Sequence, residues 1–353
     1  MSNNQKNYQK INKIFWKNKK VLITGHSGFT GVWLTTLLLN LDCKILGISL
    51  SKNKKIDIDR KKIFKKRLTS LYFDINSYSK LKKAVKKFNP EIIIHLAAQS
   101  LVKKSLENPM ETFNTNIKGT INILEASKEA KNLRSITIFT TDKVYNNQDK
   151  RRVFKETDHL GGDDPYSSSK ASKELIANSY LKTFYYKKKI GLVTIRSGNI
   201  LGGGDWGENR LVPDLVRYNF ENKSTSIRSL KSIRPWYHIL DVLNCITKIN
   251  EKVWYNYKLS GPYNIGPKKQ GYTVDNILKK IKLKAPKIDK KIKFEEKKYL
   301  FLEIKKMSKV MGLNKNLDFD KSLDLTYSWY RNFYDNSDPI KLIIKDLKSY
   351  FKL

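Results

Sequence analysis

Short apolar runs alternate with helix-like segments through the first half of the chain, and this alternation limits the available folds more than any other feature. The run at residues 92–96 is continuously apolar, which is typical of a strand buried on both faces of a sheet. Six such strands are predicted, at residues 20–24, 44–49, 70–74, 92–96, 135–139 and 191–195. Helices are predicted between them, at residues 31–40, 78–88, 110–130 and 166–186. The pattern predicts an α/β fold built on a doubly wound parallel sheet.

The strand–helix rhythm breaks after about residue 197. Three consecutive glycines at residues 202–204 introduce a region of turns, and lysine- and proline-containing stretches at residues 268–298 indicate surface connections. Residues 322–353 end in a lysine-rich helix. We therefore expect a first domain at residues 1–196, to which the segment around residues 235–266 returns, and a smaller mixed α/β lobe at residues 197–353.

The chain is strongly basic, with 70 Lys and Arg against 33 Asp and Glu and a formal net charge of +37 at pH 7. Only 11 of the basic residues are Arg, and the lysines are scattered through the predicted helices and loops. Scattered lysines favour a generally basic surface over a dedicated nucleic-acid interface. No nucleic-acid partner is therefore predicted.

Cysteines and apolar stretches indicate the compartment. Cys43 and Cys245 both lie in apolar patterns, which favours buried free thiols over a disulfide. The first residues are polar and lack the apolar centre of a signal peptide, and the longest apolar stretch, at residues 32–41, is too short to span a bilayer. The sequence predicts a cytoplasmic protein with no membrane partner.

A glycine-rich turn joins the first predicted strand to the first predicted helix. Gly25, Gly28 and Gly31 follow a G-x-x-G-x-x-G spacing, and glycines at this place allow a tight turn and a close approach of a pyrophosphate to the helix N–H groups. The alternative is a turn that simply needs glycine. In its strand–helix context the motif predicts a Rossmann-type dinucleotide site. The second strand ends without a carboxylate, so the choice between NAD and NADP stays open.

Two further segments could contact the cofactor. Asp74, after the third strand, could meet an adenine amino group or could simply form a turn. Small residues after the fourth strand, in the segment His95 to Gln99, would let a cofactor lie against the backbone, although tight helix–sheet packing explains them equally well. His95 itself is expected to be a core histidine, and Asn116 lies in the middle of a predicted helix, where it either bridges polar groups near the site or forms a plain polar face.

Two motifs carry the candidate chemistry. Tyr166 and Lys170 stand at i and i+4 and therefore share one helix face. A neighbouring ammonium and an oxidised nicotinamide both favour the phenolate, which can then take a proton from a sugar hydroxyl. Thr141, Asp142 and Lys143 follow the fifth strand and supply an acid and a second amine that a simple dehydrogenase would not need.

Together these residues resemble the extended short-chain dehydrogenase/reductase family that acts on nucleotide sugars, and most closely its CDP-glucose 4,6-dehydratase branch. The resemblance covers roughly residues 15–267. It rests on runs of residues at 15–16, 24–31, 95–102, 141–143, 164–170, 196–206 and 233–238. The Gly-Gly-Gly-Asp-Trp run at residues 202–206 and the Arg-Pro-Trp run at residues 234–236 are the most specific of them.

The resemblance implies an NAD that is regenerated within each turnover, with hydride leaving sugar C4 and returning at C6. It implies that Thr141 holds the C4 oxygen beside Tyr166, that Asp142 protonates the departing C6 hydroxyl, and that Lys143 serves the C5 step, either as a neutral base or through its charge. Related dTDP-glucose dehydratases carry Glu at the position of Lys143. The implied cofactor contacts are Gly25, Ser27, Gly28, Phe29, Thr30, Gly31, Asp74, Ile75, Leu96, Ala97, Ala98, Gln99, Tyr166 and Lys170.

The family pattern also suggests substrate contacts and partners. Asn199, Arg228 and Arg234 would hold the nucleotide diphosphate, for which a guanidinium presents paired donors. CDP-glucose is the implied substrate, a homodimer formed through the helices after the fourth and fifth strands is the implied assembly, and no metal is expected. The implied product would supply deoxysugars for surface polysaccharides such as O-antigen. The alternatives are a 4,6-dehydratase or 4-epimerase of a dTDP-, GDP- or UDP-linked sugar, and a catalytically idle NAD- or RNA-binding protein.

Overall fold

A seven-stranded parallel sheet forms the centre of the protein, as seen in a computed structural model that describes residues 11–61, 64, 66–227, 229–286, 297–312 and 317–353. The strand order is β3-β2-β1-β4-β5-β7-β10, and every neighbouring pair is parallel. The strands are β1 (Lys20–Thr24), β2 (Lys44–Ser49), β3 (Leu68–Tyr72), β4 (Ile92–His95), β5 (Ser135–Phe139), β6 (Val153–Phe154), β7 (Gly191–Ser197), β8 (Ile200–Leu201), β9 (Tyr237–His238), β10 (Gly261–Ile265) and β11 (Phe301–Leu302). The predicted α/β fold with a doubly wound sheet is confirmed.

Helices cover both faces of this sheet. They are α1 (Lys13–Trp16), α2 (Phe29–Asn40), α3 (Tyr78–Phe88), α4 (Val102–Glu107), α5 (Pro109–Phe113), α6 (Gly119–Ser127), α7 (Pro165–Tyr180), α8 (Leu211–Phe220), α9 (Ile239–Tyr255), α10 (Val274–Lys280), α11 (Lys305–Met311), α12 (Phe319–Tyr334) and α13 (Pro339–Phe351). One apolar core joins α2, α9 and α13 to the sheet, and a second joins α3, α6 and α7 to it. Each strand in the middle of the sheet is consequently buried on both faces, which explains the continuous apolar runs.

The order of the strands reverses between β1 and β4. In a doubly wound sheet, a ligand binds in the crevice at the carboxyl ends of the strands where the order reverses. The loops that follow β1, β4, β5 and β7 all leave the sheet at this edge, because the strands are parallel. The topology thus brings together four segments that are far apart in the sequence.

Two predicted helices contain wider turns than the sequence pattern indicates. The predicted helix at residues 110–130 is α5 and α6 joined by a π-helical segment, Asn114–Lys118, and it ends at Ser127. The predicted helix at residues 166–186 ends as α7 at Tyr180 and continues as a second π-helical segment, Leu181–Tyr185. Apolar periodicity cannot distinguish these turns, because each adds one residue without ending the helix.

Other boundaries differ from the prediction by a few residues. The third strand ends at Tyr72, not at residue 74, because the Asp74 carboxylate accepts a hydrogen bond from the backbone N–H of Asn76 (2.8 Å) and forms a turn there. The lysine-rich final helix is confirmed as α13. Cys43 and Cys245 are buried free thiols, as predicted. Along the described ranges of the chain, no helix combines the length and the apolar character needed to cross a membrane.

The second half of the chain adds small elements around the carboxyl edge of the sheet. β8 pairs with β9, and β6 pairs with β11. β10 extends the main sheet beside β7, so the chain returns to the sheet after the region of turns. α12 packs its Trp329 against the backbone of Gly203, where an added Cβ would lie 2.0 Å from the indole ring. This contact fixes the glycine-rich loop at residues 202–204 beside the crevice.

Candidate active site

The loops at the carboxyl edge enclose a cavity of about 830 Å³. Its walls come from the turn after β1, the loops after β4, β5 and β7, the start of α7 and the segment around α8. The predicted residues that line it are Gly25, Gly28, Phe29, Thr30, Gly31, Leu96, Ala97, Ala98, Thr141, Asp142, Lys143, Tyr166, Lys170, Asn199 and Arg234. The fold therefore assembles the glycine motif and both chemical motifs around one space.

The turn after β1 forms a tight cradle. Gly25 has φ +76°, and an added Cβ would lie 2.8 Å from the Ala97 nitrogen, so the loop after β4 passes directly against it. At Gly31 an added Cβ would lie 1.9 Å from the Gly25 carbonyl oxygen. α2 starts immediately after Gly28, so its N-terminal N–H groups face the cavity mouth. This backbone geometry fits the pyrophosphate of a dinucleotide.

Four predicted cofactor contacts do not line the cavity. The Ser27 hydroxyl donates to the carbonyl of Ser51 (2.7 Å), and Asp74 is exposed at its turn. Ile75 is buried and packs directly against Gly119, where a side chain would have no room. The Gln99 amide donates to Thr112 (2.9 Å) and to the carbonyl of Leu101 (3.0 Å), so it holds the loop rather than facing the crevice.

The loop after β5 carries a buried carboxyl. Asp142 is 2% exposed and starts a short 3₁₀ helix, Asp142–Val144, whose N-cap is Thr141. The Thr141 hydroxyl donates to Asp142 Oδ1 (3.0 Å), while Oδ2 is buried and makes no hydrogen bond within the described part of the chain. Burial raises the pKa of Asp142, although the charges of Lys143 and Arg234 and the Thr141 hydroxyl oppose that rise. A carboxyl with a raised pKa can keep a proton and deliver it.

Tyr166 and Lys170 lie on the first turns of α7. The helix begins after Asp164, whose carboxylate accepts from the Ser167 N–H (2.9 Å), and the Tyr166 N–H donates to the Ser105 hydroxyl (3.2 Å). Burial raises the pKa of Tyr166 to about 12, while a hydrogen bond with the Thr141 side chain and the charge of Arg210 act to lower it. Lys170 is 4% exposed. Its burial, and to a smaller extent the positive charge of Arg210, lower its pKa to about 7.

Behind these side chains lies a buried polar network. Asn116 sits in the π-helical segment and joins the loop after β4 to α7, since its amide donates to the Gln99 carbonyl (3.0 Å) and to the Ser169 hydroxyl (2.8 Å). It therefore bridges polar groups, one of the two expected alternatives. His95 is fully buried between the hydroxyls of Thr24 (2.6 Å) and Thr120 (3.1 Å), which confirms it as a core histidine.

Of the three residues suggested to bind the diphosphate, two line the cavity and one lies outside the described residues. Arg234 is 4% exposed and lines the cavity, where it donates to the carbonyls of Ile233 and Lys297 (both 2.8 Å). Asn199 is exposed at the cavity wall, and its carbonyl accepts from the Tyr237 N–H (2.9 Å). Arg228 lies outside the described residues. Among the described residues, no three His, Cys, Asp or Glu side chains converge to hold a metal ion.

Known proteins are similar to this chain in sequence and in fold. The profile of the GDP-mannose 4,6 dehydratase family matches residues 22–324. The CDP-glucose 4,6-dehydratase of Salmonella typhimurium is 31% identical over 352 residues, which span 96% of this chain and 98% of that protein. The chain belongs to the GDP-mannose 4,6 dehydratase family.

More distant relatives align with this chain over most of their length. The dTDP-glucose 4,6-dehydratase 1 of Escherichia coli is 24% identical over 88% of this chain and 92% of its own. The solved structure of the Bacillus anthracis dTDP-glucose 4,6-dehydratase in complex with NAD has a TM-score of 0.74 at 22% identity, and covers 91% of this chain and 99% of that one. The family profile and the 31% identity confirm the resemblance drawn from the sequence motifs, and the Bacillus anthracis structure shares the overall fold.

Arg210, just before α8, is a charged cavity residue that the sequence motifs missed. Its guanidinium donates to Asp205 (2.9 Å) and to the Ser100 hydroxyl (2.9 Å), and its charge acts on both Tyr166 and Lys170. Two loops therefore hold one cation beside the reacting phenol. The scarcity of arginine could have pointed to this residue. Only 11 of the 70 basic residues are Arg, so an Arg in this chain is more readily explained by a specific contact than by a general surface role.

Proposed function

We propose that the protein dehydrates CDP-glucose to CDP-4-keto-6-deoxyglucose and water, with NAD as a bound cofactor and with hydride transferred from C4 to C6. The observation that carries this proposal is the buried Asp142, which shares one cavity with Tyr166 and Lys170. Tyr166 and Lys170 serve any oxidation at C4, whereas a buried acid beside them is needed to expel a hydroxyl. The 31% identity to the Salmonella typhimurium CDP-glucose 4,6-dehydratase supports the choice of CDP-glucose.

The glycine cradle at residues 25–31 and the loop after β4 would hold the cofactor, because Gly25, Gly28 and Gly31 carry no Cβ and Ala97 and Ala98 carry only a methyl group at the cavity wall. When bound, NAD supplies a cationic nicotinamide that accepts the C4 hydrogen as hydride and returns it to C6. Tyr166, as the phenolate, takes the proton of the C4 hydroxyl, and Thr141 hydrogen-bonds the same oxygen. Arg210 favours the phenolate through its charge.

Water loss follows from the ketone at C4, which makes the C5 hydrogen acidic. Removal of the C5 proton and departure of the C6 hydroxyl leave a C5–C6 double bond, and Asp142 gives the hydroxyl the proton it needs to leave as water. Hydride then adds to C6 and a proton returns to C5. The proton gained by Tyr166 balances, through solvent, the proton lost by Asp142, so the enzyme returns to its starting state.

Lys143 serves the C5 step. Its side chain is half-buried, lines the cavity and acts electrostatically on the Asp142 carboxyl. A neighbouring cation stabilises the enolate that forms when C5 loses its proton, whereas a neutral amine would take that proton directly. Replacing Lys143 with Met should leave C4 oxidation in place and suppress exchange of the C5 hydrogen with solvent.

Arg234 and Asn199 would contact the diphosphate, since both line the cavity on the side of β7 and β9. Arg228 is a further proposed contact on sequence grounds alone. We also propose that residues 1–196 with the returning segment 235–266 form the NAD-binding domain, and that residues 197–353 form the substrate lobe. The cytoplasmic location and the role in deoxysugar synthesis for surface polysaccharides such as O-antigen stay predictions.

We further propose a homodimer through α4, α5 and α7. These three helices lie next to each other, and each exposes at least one large apolar side chain. A monomeric protein rarely leaves a large apolar patch in contact with water. The exposed side chains are Leu106, Met110, Phe113 and Leu175. Replacing Met110 and Leu175 with Glu should give a monomer in sedimentation, whereas Ile14→Glu, which changes a still more exposed apolar residue on α1, should not.

One experiment tests the proposed reaction. The purified protein is incubated with CDP-, dTDP-, GDP- and UDP-glucose carrying deuterium at C4, with and without added NAD. CDP-glucose should show the highest kcat/KM, and the deuterium should appear at C6 of the 4-keto product. Preferred turnover of another nucleotide sugar would reassign the substrate. A product epimerised at C4, with its C6 hydroxyl retained, would reject dehydration altogether.

A further inference from the structure

The two motifs that carry the chemistry lie on different elements. Thr141 and Asp142 belong to the loop after β5, while Tyr166 and Lys170 belong to α7. Proton transfer depends on their separation, because an error of about 1 Å in the position of a reacting group can cost about 100-fold in rate. Some contact must therefore fix the loop relative to the helix.

Glu174 makes such a contact. It lies four residues after Lys170 and eight after Tyr166, so all three side chains share one face of α7. Its side chain is 4% exposed and does not line the cavity. The Thr140 hydroxyl donates to Glu174 Oε1 over 2.6 Å, and Thr140 is the residue directly before Thr141.

The other carboxylate oxygen is held by β7. Arg196 donates to Glu174 Oε2 over 3.1 Å, and the Thr194 hydroxyl donates to the same oxygen. Arg196 is itself fixed, since its other guanidinium nitrogen donates to the Tyr145 hydroxyl (2.9 Å). A carboxylate that is anchored in this way has a defined position from which to hold Thr140.

We propose that Glu174 is a positioning residue that sets the distance between the Thr141–Asp142 loop and the Tyr166–Lys170 helix. This proposal rests on the proposed function for its kinetic consequences. An ordinary buried ion pair would stabilise the fold without preference for any one of its partners. A positioning role predicts that the link to Thr140 matters for the rate more than the link to Thr194.

Three variants separate these roles. Thr140→Val removes the contacts of the Thr140 hydroxyl with Glu174 and with the Ile195 carbonyl (3.0 Å), and it keeps both the Glu174–Arg196 pair and the hydrogen bond from the Thr140 N–H to the Ile195 carbonyl (2.8 Å). Thr194→Val removes one hydrogen bond to the same carboxylate from a strand that carries no reacting group. Glu174→Gln keeps the side-chain length but has one acceptor oxygen for three donors. Kinetic constants, melting temperature and amide hydrogen exchange of residues 140–146 are measured for each.

Thr140→Val should lower kcat by about 10- to 100-fold and leave KM within about twofold, and Thr194→Val should change neither by more than about twofold. Glu174→Gln should match or exceed the loss in Thr140→Val. Residues 140–146 should exchange faster in Thr140→Val and Glu174→Gln, but not in Thr194→Val.

Equal kinetic effects of the two threonine variants, or an unchanged kcat in Thr140→Val, would overturn the proposal. Hydrogen exchange needs no substrate, so it decides the role of Glu174 even if the wild-type protein turns over none of the four nucleotide sugars. In that event the proposed function fails, and the hydrogen exchange of residues 140–146 alone decides whether Glu174 positions the loop.

Discussion

Replacing Asp142 with Asn tests the assignment of the acid most directly. The change removes the proton donor and the charge but keeps the shape of the side chain. Asp142 is 2% exposed, its Oδ2 makes no hydrogen bond within the described part of the chain, and Thr141 can still donate to the amide oxygen. The pocket should therefore keep its geometry while it loses the acid.

The magnitude follows from what a positioned acid contributes. General acid catalysis supplies about 10²- to 10⁴-fold, which corresponds to about 2.7–5.4 kcal/mol of activation free energy. Dehydration by Asp142→Asn should fall by that factor. C4 oxidation should persist, because Tyr166, Lys170 and Arg210 are untouched. Reduced nicotinamide should then accumulate in a single turnover and be visible by its absorbance.

Stability supplies an independent check on the same variant. Burial raises the folded-state pKa of Asp142 above its unfolded value. A raised carboxyl pKa gives stability that is complete below the unfolded pKa and is lost as the pH rises through the folded pKa. Asn cannot ionise, so at pH 8 the variant should melt at the same temperature as the wild type or higher, and lost activity cannot then be ascribed to unfolding.

The matched control is Asp163→Asn, which makes the same chemical change at an exposed carboxylate paired with Lys297. It should leave dehydration within about twofold, as expected for a surface substitution. Dehydration by Asp142→Asn at more than about a tenth of the wild-type rate would refute the assignment, because no general acid of the stated strength could then reside there.

The two remaining predictions concern the cofactor cradle and the reacting phenol. Gly31→Ala should weaken NAD binding by at least about tenfold in a titration, because its Cβ would lie 1.9 Å from the Gly25 carbonyl oxygen, whereas Gly28→Ala, with 3.3 Å to the same oxygen, should weaken it less. Arg210→Leu should shift the acidic limb of the kcat/KM profile to higher pH, because the charge of Arg210 lowers the pKa of Tyr166. An unchanged limb would show that Arg210 does not tune the phenol.

The sequence predicted six of the seven strands of the sheet, all except β10, because their signal is local. Each central strand is buried on both faces, so the apolar runs are continuous and their limits are clear, as at Lys44–Ser49 and Ser135–Phe139. The sequence also places the turn after β1, since Gly25 needs a positive φ and Gly31 cannot carry a Cβ. These constraints act between residues that are close in the chain.

Long-range contacts were beyond the reach of local patterns. The sequence could not show that Arg210 meets Ser100, or that Glu174 meets Thr140, because neither pair has a fixed spacing. Gln99 was misleading for a related reason: its segment lies at the cavity, but its own side chain turns away to bind Thr112. Side-chain direction in a loop depends on tertiary partners rather than on periodicity.

Burial raises the pKa of both Asp142 and Tyr166, so the carboxyl retains its proton more readily, while the phenol depends on neighbouring charges to lose its own. Asp142 is buried in the loop with Oδ2 free of hydrogen bonds among the described residues, and burial raises its pKa, which keeps its proton available. Burial raises the pKa of Tyr166 to about 12, and a hydrogen bond with the Thr141 side chain and the charge of Arg210 both act against that rise. The cationic nicotinamide would lower it further. Because Thr141 contacts both groups, any shift of this loop changes the acid and the base at once, which is why the position of Thr140 should matter for the rate.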